Sequence, residues 1–175
     1  PWFNEDEPPL WWCPDPRMVL YPNQLKVSKS MRSTMRKNTF TVTADQSFEA
    51  VIKHCGAVPR PGQDGTWITQ EIIDGYCELH RMGFAHSIEV WDQNNALTGG
   101  LYGISLGRVF FGESMFSLAP NASKFGFISL VEALKKKSFQ LIDCQVYTNH
   151  LSSLGAEKIP RETFLSEIAT NHEFE

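Results

Sequence analysis

Asp143 and Gln145 stand two apart in LIDCQV, residues 141–146, a stretch that otherwise reads as a buried β-strand. Successive strand side chains point to opposite faces, so the acid and the amide share one face while Ile142, Cys144 and Val146 share the other. Burying a lone carboxylate is costly, so such a strand holds either a partner for the acid or a use for it. Two further acids interrupt strand-like segments, Glu89 in HSIEVW and Glu113 in FFGESMF. One such acid is well explained by an ion pair or an edge position. Three on neighbouring strands point to an acidic pocket suited to a cation: an amine, a Lys or an Arg. Met115 shares the face of Glu113, so apolar and acidic walls would meet there.

Other chemistries find no template. There is no GxSxG, no placeable Cys–His pair, no GxxxxGK[ST] and no GxGxxG. SLGRVFFG does not supply the loop that cradles the pyrophosphate of acetyl-CoA, although the order of strands would suit such an acyltransferase. Cys13, Cys55, Cys77 and Cys144 are scattered, with no CxxC and no His at zinc-finger spacing, and are expected as free thiols in a reducing cytosol. The five histidines form no HExxH. Neither a metal nor a cofactor is expected.

The elements that must position these residues follow from periodicity and punctuation. Residues 1–24 read as irregular, rich in Pro and Trp; Trp11 and Trp12, with Trp2 nearby, make either a packed loop or a base-stacking platform. Residues 28–37 read as a helix and 39–44 as a strand. Asp45 is expected to cap a helix that runs through Cys55 and stops at Gly56, and 59–65 form a loop. Thr69 caps a helix whose apolar positions 72, 73, 76, 79 and 82 keep the helical period; Gly83 ends it. AHSIEVWD, ALTGGLYGI and RVFFGESMF follow as three strands. Asn121 caps a long helix from Ala122 to Lys137, LIDCQV is a strand, and a helical turn (149–154) and a helix begun by Pro160 close the chain. Gly99, Gly100 and Gly103 weaken their strand unless something approaches its backbone closely. The fold class is α+β, a sheet with helices packed on it.

At 175 residues the chain suits one domain with a small appendage. No window approaches the ~18 uninterrupted apolar residues of a membrane span, and the first residues do not read as a signal peptide. The chain does not open on Met, so a processed or trimmed chain is expected. A net charge of −4 argues against a protein that coats nucleic acid. Yet KVSKSMRSTMRK, residues 26–37, holds five basic residues and no acid. Lys26, Lys29, Arg32 and Arg36 recur at intervals that align them along one side of a helix. With Lys135, Lys136 and Lys137 they favour a local polyanion site such as an RNA backbone.

PWF, LWWCPDPR, GTWIT, GFAHSIEVW, LTGGLYGISLG, GESMFS, NASK and LIDCQV, followed by NH, SLGA and IPR, stand in an order that resembles the leucyl/phenylalanyl-tRNA–protein transferases, from Pro1 to about Arg161. The resemblance implies a GNAT-like core, with a mixed, largely antiparallel sheet and flanking helices (residues 61–175). Residues 1–60 would be the remainder of a small N-terminal subdomain that reads as truncated, because relatives carry a GLLAxGGDLS-like segment before PWF. It implies a cytoplasmic enzyme, with no membrane attachment and as a monomer. Its reaction would move Leu or Phe from charged tRNA to the N-terminal amine of a protein beginning with Arg or Lys, marking that protein for degradation.

By motif, Asp143, Gln145 and Glu113 would form the reacting centre. Leu101, Met115, Phe127, Leu130, Leu134 and Ile142 would line the pocket for the Leu or Phe side chain, and Trp67 and Trp2 would flank the terminal adenosine. Lys26, Lys29, Arg32, Arg36 and Lys37 would meet the acceptor stem. Leu stands at 101, 130 and 134 where relatives can carry Phe or Met, which leaves the preference between Leu and Phe open.

Such chemistry needs no covalent intermediate, because the aminoacyl ester is already activated. Presenting a neutral α-amine at pH 7 costs about one pK unit, roughly 1.4 kcal/mol. Positioning two substrates contributes far more, up to about 7–11 kcal/mol. Asp143 and Gln145 are thus expected to orient the amine and help remove its proton. Two other readings compete: a GNAT N-acyltransferase that uses a CoA thioester, and a non-catalytic module that binds tRNA or basic N-termini.

Overall fold

Alternation along the strands sorts the core into faces. In the computed structural model, which describes residues 10–37, 39–58 and 65–171, seven strands form one sheet. They are β1 (Arg17–Leu20), β2 (Thr41–Ala44), β3 (Ala85–Trp91), β4 (Leu97–Leu106), β5 (Val109–Ser117), β6 (Leu141–Gln145) and β7 (Glu157–Ile159). Their order is β2-β3-β4-β5-β6-β1-β7. All neighbours run antiparallel except β5 and β6, which are parallel.

Six helices cover the sheet: α1 (Lys29–Arg36), α2 (Phe48–Ala57), α3 (Gln70–Arg81), α4 (Ala122–Lys136), α5 (Asn149–Ser153) and α6 (Arg161–Asn171). Met18, Leu20, Leu101, Phe110 and Ile142 join a cluster with α1, α4 and α5. Their strand neighbours Val19, Val109 and Leu141 join Phe164 of α6 in another, and Tyr102 and Phe116 join α2 and α3 in a third. A period of two thus divides the α1/α4/α5 face from the α2/α3/α6 face. The α+β expectation describes this architecture.

The local signals for helices hold where a side chain makes the bond. Thr69 Oγ1 accepts from Ile72 N–H, and Ser28 Oγ from Met31 N–H. Gly83, at φ 83°, closes α3. Asp45 does not cap α2, which begins after Ser47. It accepts instead from Ser87 N–H and faces His86. Gly56 does not stop α2, which runs on to Ala57. Asn121 precedes α4 at φ 67° without a capping hydrogen bond.

Two strands escape the sequence reading. Arg17–Leu20 lies within the segment read as irregular, yet is buried throughout and pairs with both β6 and β7. β7 is only three residues long. The expected boundary near residue 60 does not divide the sheet, since β1 and β2, on its N-terminal side, are both strands of it.

Gly99 and Gly103 confirm that something approaches their backbone. A Cβ at Gly99 would stand 2.8 Å from the Cβ of Ala122 on α4, and one at Gly103 only 2.2 Å from the Phe111 carbonyl oxygen. The approaching groups belong to the fold itself. All four cysteines are free, and no helix among the described residues is long and apolar enough to cross a membrane.

Candidate functional site

The parallel pairing of β5 and β6 is short. It links Val109 to Leu141, Phe110 to Ile142 and Phe111 to Asp143, and goes no further. Gln145 takes a left-handed backbone at φ 63°, an uncommon conformation for a side-chain-bearing residue, and the chain turns off the ladder there. Its amide then spans the gap. Nε2 donates to the Gly112 carbonyl oxygen at 2.8 Å and faces Glu113 Oε2 at 3.4 Å. A side chain thus takes up a carbonyl beyond the last ladder pair. With the amide protons directed at these oxygens, what the side chain has left to offer is its carbonyl oxygen, an acceptor.

Asp143 is buried, at 1% exposure. Its Oδ1 accepts from Arg17 Nε at 2.9 Å and from the Gln145 backbone N–H at 2.9 Å, and its Oδ2 accepts from Arg17 Nη2 at 2.6 Å. This two-pronged pair matches the charge. Arg17 also lies over the Phe164 ring, 4.9 Å from its centroid. A carboxylate so engaged is suited to holding Gln145 in place rather than to leaving its partners for a passing proton.

Glu113 differs. Burial, first of all, pushes its carboxyl above the usual range, with the charge of Asp143 adding to the push and hydrogen bonds from Tyr76 and Gln145 opposing it. Tyr76 is raised in turn, chiefly by burial and then by Glu113.

Two cavities meet at this gap. One, of about 360 Å³, is walled by Trp67, Leu101, Phe110, Met115, Phe127 and Leu151. The other, of about 500 Å³, has Trp11, Trp12, Arg17, Ile104 and Phe111 on its walls. Glu113, Asp143, Gln145 and Val146 belong to both. Most of the first cavity's wall, Leu101, Phe110, Met115, Phe127 and Leu151, belongs to the α4/α5 cluster, with Trp67 and Tyr102 of the α2/α3 cluster completing it. The second lies toward the α6 face, where Arg17 meets Phe164.

The structure therefore brings Asp143, Gln145 and Glu113 together and sets Leu101, Met115, Phe127 and Trp67 around the first cavity. Leu130, Leu134 and Ile142 are not on its wall. They are buried behind it in the same apolar cluster, because α4 turns them onto the sheet and Ile142 points under α4. Trp2 lies outside the described residues. Lys26, Lys29, Arg32, Arg36 and Lys37 are all exposed, while Met31 is buried and Met35 packs beneath α1. Glu89 does not join the acidic site. It is fully buried and accepts from Thr43 Oγ1 at 2.5 Å, Ser87 Oγ at 2.5 Å and Ser47 N–H at 3.3 Å.

Sequence reasoning missed Arg17 and His150, and left Trp11 and Trp12 between a packed loop and a base-stacking platform. A lone basic residue opening the apolar run RMVL is the signal that a buried acid elsewhere needs it. His150, on the wall of the first cavity, is lowered in pKa by burial and then by Lys124. Among the described residues no three or more His, Cys, Asp or Glu are arranged to hold a metal.

Known proteins resemble this chain along most of its length. It is 58% identical over 169 residues to a leucyl/phenylalanyl-tRNA–protein transferase of Pseudomonas fluorescens, covering 97% of this chain and 74% of the relative. Against one from Christiangramia forsetii the identity is 60% over 167 residues, 94% of this chain and 78% of the relative. Among solved structures, a GCN5-related N-acetyltransferase from Kribbella flavida superposes with a TM-score of 0.45 at 9% identity, over 82% of this chain and 54% of that one. The family model described as leucyl/phenylalanyl-tRNA protein transferase matches residues 19–169. With that match and relatives so similar, the chain belongs to the leucyl/phenylalanyl-tRNA–protein transferase family.

Proposed function

We propose that this chain transfers Leu or Phe from aminoacyl-tRNA to the N-terminal α-amine of proteins that begin with Arg or Lys, a cytoplasmic step that marks them for degradation. The observation that carries the reading is the meeting of Glu113, Asp143 and Gln145 where β5 and β6 part, at the mouth of an apolar cavity.

The Leu or Phe side chain fills the first cavity, whose aliphatic and aromatic walls discriminate by about 1–3 kcal/mol per methylene. The ester carbonyl then lies beside the gap. Lys26 N–H donates to the Leu154 carbonyl oxygen at 2.9 Å, so the basic segment runs across the end of α5, next to Leu151 on the cavity wall. That supports a reading in which the exposed cations of the following helix, α1, meet the phosphates of the tRNA.

Gln145 Oε1 accepts a hydrogen bond from the attacking amine and aims its lone pair at the carbonyl carbon. Arg17 and Asp143 hold Gln145 in that posture. As the C–N bond forms and the C–O bond to the ribose breaks, the amine loses a proton and the ribose oxygen gains one. Glu113, whose proton affinity burial raises, is the group suited to carry that proton. Placement remains the larger contribution.

The test is transfer of labelled Leu or Phe from charged tRNA to an Arg-starting peptide. Transfer by the native chain, absent with acetyl-CoA as donor, is expected. Acetylation of the peptide without transfer from tRNA would replace this reading with the CoA-dependent one. Binding of tRNA with no transfer would replace it with the non-catalytic one.

A further inference from the structure

The exposed indoles of Trp11 and Trp12 have no place in the chemistry above, yet they wall the second cavity, which reaches the reacting centre from the other face of the sheet. Trp11 is 83% exposed and Trp12 65%. Both rings keep most of their surface open to solvent. Their loop is fastened, however. Arg161 donates from its backbone N–H to Asp15 Oδ1 at 3.1 Å, and from Nη1 to the Cys13 carbonyl oxygen at 3.1 Å. The rings are therefore presented at a fixed place.

We propose that the two substrates approach from opposite faces of the sheet, and that Trp11 and Trp12 form the wall against which the first residue of the acceptor protein docks. The inference rests on the transferase reading and names the acceptor's side of that site.

Three observations fix the occupant. The cavity ends at Glu113, Asp143 and Gln145, so whatever fills it presents its leading group to the reacting centre. Within it, Arg17 and Asp143 match each other's charge, and Glu113 makes no salt bridge with a described residue. A cation is therefore favoured over a neutral base. Indole faces are the best aromatic surface for a guanidinium or ammonium group, and the aliphatic stem of Arg or Lys covers the rest of the ring. The first cavity, by contrast, adjoins the basic segment and carries its own buried Trp67.

The experiment compares the native chain with Trp11→Ala/Trp12→Ala and Trp11→Phe/Trp12→Phe. Peptides starting with Arg and with citrulline, which keeps the shape and lacks the charge, serve as acceptors. The Ala pair should raise KM for the Arg peptide by about 3- to 10-fold, the range of a cation–π contact. Its kcat at saturating acceptor and its KM for aminoacyl-tRNA should hold, and its preference for Arg over citrulline should shrink. The Phe pair should recover most of the loss. A higher KM for aminoacyl-tRNA with the acceptor KM unchanged would overturn the proposal by assigning the rings to nucleic acid. No change in either KM would overturn it by reducing them to a loop cover. If the native chain fails to transfer at all, the transferase reading falls first and takes this one with it.

Discussion

Glu89 and Asp143 are both acids on strands of one sheet, and both are almost fully removed from water. Their surroundings could hardly differ more. Glu89 is answered within a short reach by two hydroxyls and a backbone N–H, on β2, β3 and the approach to α2. Its strand keeps its pairing on both sides. Asp143 is answered by an arginine 126 positions away, and two residues later its strand leaves the ladder through a left-handed residue. Satisfying the buried charge is common to both. What sets Asp143 apart is the opening beside it, and the amide whose placement it governs.

That contrast can be broken first at the partner. Arg17→Met keeps much of the volume of the side chain and removes its charge, leaving Asp143 buried and uncompensated. Loss of about 3–5 kcal/mol of stability is expected in urea titrations. Adding Asp143→Leu should recover a substantial part of it. Thr43→Val, the matching change beside Glu89, should cost less, about 1.5–3 kcal/mol, because two donors remain. Equal losses would show that the two acids are held in the same way.

The second cut separates fold from chemistry. Asp143→Asn keeps the outline of the side chain but not its grip on Arg17 and Gln145, so kcat/KM for transfer should fall by about 10²-fold through misplacement of Gln145. Glu89→Gln should lower the melting temperature and leave kcat per folded molecule unchanged. A matching fall in kcat for both variants would erase the distinction.

Why both acids read as members of one site, when only Asp143 stands at the gap, is a matter of range. Alternation, caps and glycines are local, so the meander of β3 to β5, α3 and α4 were legible. Glu89 was grouped with the site because its satisfying hydroxyls, Thr43 and Ser87, carry no sign in the sequence of what they face. β1 was missed because four residues with an arginine at the head make no strand pattern alone. It becomes a strand only by slotting between β6 and β7, a pairing across more than 120 positions. Of the six residues expected on the apolar pocket, Leu101, Met115 and Phe127 wall the first cavity, and Leu130, Leu134 and Ile142 lie behind it. Leu130 and Leu134 share the helical period of Phe127, but the cavity opens beside Met115 and Phe127 rather than along the later turns of α4 or at Ile142.

A smaller effect tests the basic side of the molecule. Lys29→Ala/Arg32→Ala/Arg36→Ala removes three exposed charges from α1 without touching Met31. KM for aminoacyl-tRNA should rise about 10-fold at physiological salt. The slope of log affinity against log salt should flatten by about 2–3, near one for each phosphate no longer neutralised. The acceptor KM should stay where it is. A flat salt response in the native chain would remove α1 from the tRNA interface.

The smallest expected effect asks what Glu113 costs the fold. Burial raises its carboxyl above the ordinary 4.5, so the folded state holds the proton more tightly than the unfolded one. Its contribution to stability is therefore complete below the ordinary value and is lost as pH rises through the raised one. Glu113→Gln removes that dependence. Its melting temperature should gain on the native one as pH climbs from 5 toward 8, even while transfer is impaired. Tyr76→Phe should have the opposite effect on stability, since it deletes a hydrogen bond that favours the charged carboxylate. Calorimetry of the three proteins across that range decides the matter. A native curve that gained stability with pH relative to Glu113→Gln would mean that the fold favours the charged carboxylate, and Glu113 would not be a group poised to exchange a proton.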